Sequence, residues 1–145
     1  MDPELLVASM FALNGYQVYR PVADDRGVDL VVDIGRGHHV MVQVKSIRNT
    51  SGYVFMPKTG FALEPWVALA LVVMTQKPSL EAPIYPIPAE QWRHPTPPFA
   101  SRDYGQGRKS KPEYGLNIRK QWQRELKPWK ATPEHVATVL SAAVQ

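Results

Sequence analysis

The sequence has no cysteine. Disulfides and thiolate metal sites are therefore excluded, and a reducing compartment, the cytoplasm, is the simple expectation. Long apolar runs are missing too. The longest, Trp66 to Met74, falls far short of the ~20 residues that cross a bilayer, so no membrane partner is expected. Met1-Asp2-Pro3-Glu4 carries no basic stretch followed by an apolar run, which argues against a signal peptide. There is no internal repeat. What is present is 145 residues, 44% hydrophobic and 10% aromatic. That suits one compact domain, 1–145, with a core of its own.

The net charge of +4 is unevenly spread: residues 1–75 sum to −1 and residues 76–145 to +5. A basic second half suggests an anionic partner, although a solvated basic face would look the same by charge alone.

Asp2 and Pro3 suit the cap and first position of a helix, and Leu6, Met10 and Leu13 recur at helical spacing up to Asn14-Gly15. A first helix over 3–14 follows, with Glu4 in its first turn. Tyr16 to Arg20 predicts a short strand, Asp24 to Gly27 a polar turn, and Val28 to Ile34 a second strand. Gly35-Arg36-Gly37 makes a turn into a third strand, His39 to Ser46, and a polar loop follows around Asn49 to Gly52. Residues 53–63 are ambiguous. Trp66 to Met74 reads as a strand buried on both faces, all of it core. Residues 78–98 hold seven of the 14 prolines and should be mostly irregular, with an edge strand at Ile84 to Ile87 and a short helix opening at Pro88 to Trp92. Arg102 to Lys111 reads as a basic loop. Lys120 to Leu126 and Glu134 to Ala143 read as helices, the second capped by Thr132-Pro133-Glu134. The order is that of an α/β sandwich built on a mixed sheet.

Strand alternation locates the chemistry. Asp29 shares a face with Val31 and Asp33, and Gln43 shares a face with Lys45, while the valines between them point the other way. The Gly-centred hairpin can set Asp29 beside Gln43 and Lys45. Three polar groups then converge in an otherwise apolar sheet, where burial without partners is costly. Phosphodiester hydrolysis needs such a set. A carboxylate holds a divalent hard cation, and the Gln43 amide oxygen and the Val44 backbone carbonyl are further oxygen ligands. An ammonium, Lys45, stabilises hydroxide or the developing negative charge. His38 and His39 sit at the hairpin turn, point to opposite faces and make no joint metal site.

Asp29 followed by Gln43-Val44-Lys45 resembles the PD-(D/E)XK nuclease superfamily, in its variant with Gln in place of the second acidic residue. Residues 3–46 resemble the N-terminal half of Holliday-junction resolvases and Mrr-type restriction nucleases. The resemblance implies a restriction-endonuclease-like mixed β-sheet flanked by helices, a Mg²⁺ or Mn²⁺ cofactor, and an endonuclease acting on DNA rather than RNA. It also implies a further ligand at Glu4 and, by analogy with the resolvases, a homodimer; Asp25, an ordinary turn residue, lies close enough to Asp29 to be a reserve ligand. Two features depart from the family pattern. Val28 stands where the motif has Pro, and Gln43 lacks the charge of the acidic residue it replaces, which weakens cation binding. Two alternatives therefore stay open: a nucleic-acid-binding module that has lost its chemistry, and a partner-binding protein without nucleic-acid activity.

Residues 102–130 hold nine Lys/Arg against three acids, interleaved with Tyr104, Tyr114, Trp122 and Trp129. Arg108, Lys109 and Lys111 are expected on phosphates and both tryptophans in the core. Arg48 and Lys58, following the Lys45 strand, are expected nearer the scissile phosphate.

Overall fold

Asp2 accepts the Glu4 amide at 2.9 Å and Pro3 occupies the first turn, so helix α1 (Pro3–Leu13) begins where the sequence places it. The computed structural model describes residues 2–23, 27–48, 52–74 and 81–144. After α1 come β1 (Gln17–Tyr19), β2 (Leu30–Gly35), β3 (His38–Ile47), β4 (Gly52–Pro57), β5 (Val67–Val73), β6 (Ile84–Pro88), β7 (Phe99–Arg102) and β8 (Glu113–Ile118). Helices α2 (Trp122–Leu126) and α3 (Pro133–Ser141) end the chain. Thr132 caps α3 through the His135 amide, 3.1 Å away.

Five strands form a mixed sheet in the order β1-β2-β3-β5-β6, in which only β3 and β5 run parallel. Alternation along β5 divides the core. Ala68, Ala70 and Val72 pack with Leu30, Val32, Val40 and Val42 against α1 (Leu6, Val7, Phe11) and α3 (Val136, Val139, Leu140). Leu69, Leu71 and Val73 pack on the other face against Val54, Met56, Leu116 and Ile118. These belong to a second, three-stranded sheet, β4-β8-β7. The expected double-sided burial of β5 holds, and Ile84–Pro88 is indeed an edge strand.

Several local expectations need correction. Trp66 is 44% exposed and Val67 only partly buried, so the core run starts at Ala68. The ambiguous stretch from Tyr53 contains β4, followed by a 3₁₀ turn at Lys58–Gly60. The basic loop proves to be the connection between β7 and β8, and β8 itself had no sequence signature. The helix expected from Lys120 begins at Trp122. Asp24, Asp25 and the loop residues Asn49 to Ser51 lie outside the described residues.

Trp92 ties the second sheet to the core. It is 1% exposed, meets Phe61 and Phe99 edge-to-face at 5.5 and 5.0 Å, and donates its indole N–H to the Gly115 carbonyl at 2.8 Å. Trp92→Phe keeps a ring but loses the donor and leaves a small void. It should cost about 2 kcal/mol, read as a lowered denaturation midpoint at unchanged slope.

Candidate active site

The β2–β3 ladder fixes which residues meet. Leu30 lies opposite Val42 and Val31 opposite Met41. Leu30 and Val42 are buried against the helices, so their neighbours Asp29 and Gln43 are turned to the other face, opposite one another one step further along. Asp29 sits just outside β2, not within it as expected, yet its backbone stays in the sheet: its N–H donates to the Val42 carbonyl at 3.0 Å.

The Asp29 side chain closes that end of the ladder. Met41 sends its amide to the β5 flank, donating to Trp66 at 2.8 Å, so the Val44 amide, three residues on, points to the β2 flank. There Asp29 Oδ2 accepts it at 2.7 Å, a short charge-assisted bond that fixes the carboxylate. The Val44 carbonyl leaves the strand on the same flank as its amide, beside Asp29.

Gln43 is 9% exposed, and its Oε1 is buried with no hydrogen-bond donor among the described residues. Beside it opens a cleft of about 210 Å³, whose lining includes Gly27, Met41, Thr59, Gly60 and Trp66. Gly27 has φ +76, and a Cβ there would stand 3.1 Å from the Gly60 carbonyl and 3.7 Å from Gln43 Oε1. Glycine thus keeps the approach to the amide oxygen open. A buried acceptor without a donor costs about 1–3 kcal/mol. A hard divalent cation takes such an oxygen together with a carboxylate and a backbone carbonyl, so the donor set fits Mg²⁺ or Mn²⁺. Gln43→Leu removes the orphan acceptor and keeps the volume. Thermal stability should hold or rise, while Mn²⁺ affinity by calorimetry should fall about 10- to 100-fold, the size seen even for groups one step removed from a metal.

Lys45 lies on β3, the middle strand of five, so it is no edge lysine. It is half-buried, and its Nζ stands 5.9 Å from the Phe55 ring centroid on β4. Glu4 is engaged by Arg20, whose guanidinium lies 2.6 Å from Glu4 and 3.3 Å from Asp2. The hydrogen bond to Glu4, more than any other contact, raises the Arg20 pKa. Tyr19 pairs with Val31, so Arg20 follows at the level of Leu30. Glu4 therefore stands at the Asp29 end of the sheet, but with an ion pair as its partner. No group of three His, Cys, Asp or Glu that could hold a metal occurs among the described residues. Of the expected ligands, Gln43 and Val44 offer an amide and a backbone oxygen next to Asp29.

The expected phosphate contacts divide. Arg48, at the end of β3, is exposed, as are Arg108, Lys109 and Lys111 on the β7–β8 connection. Lys58 is bound to Asp103 at 3.2 Å and stands 4.8 Å from the Tyr114 ring centroid, and its amide donates to Pro112 at 3.1 Å. It fastens the basic hairpin to the turn whose Thr59 and Gly60 line the Gln43 cleft. Trp122 is buried as expected, with Trp129 partly buried against the same core. The residues missed from sequence are Tyr53 and Phe55, on the outer face of β4.

No protein-family model matches the chain, and no curated protein matches it in sequence. Among solved structures, the bacterial homing endonuclease I-Ssp6803I is similar over 98% of this chain and 88% of its own, with a TM-score of 0.55 and 20% identity. The Holliday junction resolvase Hjc of Archaeoglobus fulgidus aligns over 94% of this chain and 99% of its own, with a TM-score of 0.46 and 13% identity. The chain thus has a nuclease-like fold, a mixed α/β architecture of the restriction-endonuclease type. Among the described residues, no helix is long and apolar enough to cross a membrane.

Proposed function

We propose that this protein is a divalent-metal-dependent endonuclease that hydrolyses phosphodiester bonds in DNA. The observation that carries the reading is the register that sets Asp29 opposite Gln43, two residues before Lys45 on β3, with the Gln43 oxygen buried and without a donor among the described residues. Asp29, Gln43 Oε1 and the Val44 carbonyl would hold Mg²⁺ or Mn²⁺, with Glu4 joining only if it leaves Arg20. Bound there, the cation supplies Lewis acidity toward the phosphate and makes water a better nucleophile at neutral pH.

The protein's own groups carry the remainder. Asp29 is held rigid by Val44, so its charge needs no reorganisation when substrate arrives. Lys45 places an ammonium where negative charge grows on the phosphate as water adds and the P–O bond breaks. The attacking water gives up a proton to solvent, and the leaving oxygen takes one from solvent and departs as an alcohol. Arg48 and the exposed cations of the β7–β8 hairpin neutralise flanking phosphates and set the strand in register. The likeness of fold to a DNA-cleaving enzyme supports the choice of substrate.

The test is incubation of purified protein with DNA in Mn²⁺ or in EDTA, beside Asp29→Asn. Cleavage confined to the wild type in Mn²⁺ supports the reading. Equal cleavage in all arms, or none in any, refutes it. A binding module that has lost its chemistry is the second reading, motivated by the uncharged Gln43. It predicts salt-dependent DNA binding without cleavage or Mn²⁺ binding.

A further inference from the structure

The outer face of the three-stranded sheet carries a feature that metal-ion chemistry does not require. Val54 and Met56 of β4 turn inward, 8% and 0% exposed, which turns Tyr53 and Phe55 outward. Their rings are near-parallel, 17° apart in plane with centroids 6.4 Å apart. Phe55 is 47% exposed. Tyr53 lies flat across β8 at Gly115, where any Cβ would run into the phenol ring. Its hydroxyl donates to Glu113 at 2.7 Å, and Arg102 covers the ring at 4.1 Å. Burial first, then Glu113, pushes the phenol well above its ordinary pKa, so it stays a neutral donor. The platform is therefore built and braced: glycine below, a carboxylate anchor at its end and a guanidinium above.

Two further facts identify an occupant. Lys45, in the candidate active site, abuts Phe55, so the platform continues directly from the site. Arg102 lies over the Tyr53 ring and the exposed Lys111 lines one cleft with Phe55, on the same β7–β8 connection as the exposed Arg108 and Lys109, and this positive charge matches a phosphate backbone. Exposed rings beside such cations recognise unpaired bases, whose π-faces are accessible; in a duplex those faces are stacked away. We propose that this face binds single-stranded DNA, with a base stacked on Phe55 and its neighbour on the Arg102–Tyr53 pair, so that the substrate has unpaired nucleotides next to the scissile phosphate. The proposal rests on the nuclease reading for its substrate but makes a separate prediction about binding.

The experiment is fluorescence anisotropy in EDTA with a labelled oligothymidylate of about 16 nucleotides, a length within the range of known single-strand sites. A blunt duplex and an RNA of equal length serve as competitors. Wild type should prefer the DNA single strand to both. Phe55→Leu, which keeps apolar volume but removes the ring, should weaken single-strand binding about 5- to 150-fold, the range of one base–aromatic stack, and leave duplex binding nearly unchanged. Phe55→Ala and Arg102→Ala should act in the same direction, with circular dichroism melts confirming the fold. Duplex or RNA bound at least as tightly as the DNA strand, or Phe55→Leu binding like wild type, overturns the proposal. Because EDTA removes the metal, a failure here leaves the cleavage test standing. Conversely, loss of cleavage with binding intact counts against the nuclease reading alone.

Discussion

Asp29→Ala should abolish divalent-dependent DNA cleavage, with kcat/KM falling about 10³-fold or more. Asp29 brings negative charge to a ligand set otherwise made of amide and carbonyl oxygens, while Glu4 is occupied by Arg20. Losing the cation forfeits several kcal/mol of transition-state stabilisation, and each 1.36 kcal/mol is about tenfold in rate. Alanine also uncouples the carboxylate from the Val44 amide, and a part-buried N–H left unpaired costs about 1–3 kcal/mol of stability. Asp29→Asn separates the two effects. Its amide oxygen can still accept from Val44, so stability should be largely kept while activity is lost. If Asp29→Asn cleaved like wild type in Mn²⁺, the carboxylate would have only a structural role.

Lys45→Ala should lower kcat about 10²- to 10³-fold with little change in Mn²⁺ affinity, because the ammonium acts on the phosphate rather than holding the cation. Steady-state kinetics and calorimetry on the same preparation check both halves. The side chain is half-buried and borders Phe55, so the aliphatic stem also packs. Lys45→Met retains that packing and should lose activity to the same degree. An active Lys45→Met would reassign Lys45 to packing.

The site was legible in the sequence because β2 and β3 keep a strict alternation across a glycine turn. Leu30, Val32, Val40 and Val42 form one apolar face, and Asp29 and Gln43 must then take the other. The helix caps at Asp2 and Thr132 were legible for the same local reason. What was not legible depends on partners distant in sequence. Tyr53-Val54-Phe55-Met56 is apolar at every position, so the period that separates inside from outside is invisible there. β8 alternates poorly: Gly115 has no side chain, and Glu113 is buried by its bond to Tyr53, sixty residues away. Nothing in the local sequence announces Arg20 as the ion-pair partner of Glu4. Trp66 begins an apolar run, and only the packing of β5 in the sheet shows that the buried part starts two residues later, at Ala68.

The proposed activity requires a cation shared by Asp29 and Gln43. A crystal of the wild-type protein soaked in Mn²⁺, with data collected at the manganese absorption edge, tests this most directly. An anomalous peak is expected within coordination distance, about 2.0–2.6 Å, of both the Asp29 carboxylate and Gln43 Oε1. A peak held elsewhere, or an empty Asp29–Gln43 site in protein that cleaves DNA in the same Mn²⁺ buffer, would contradict it.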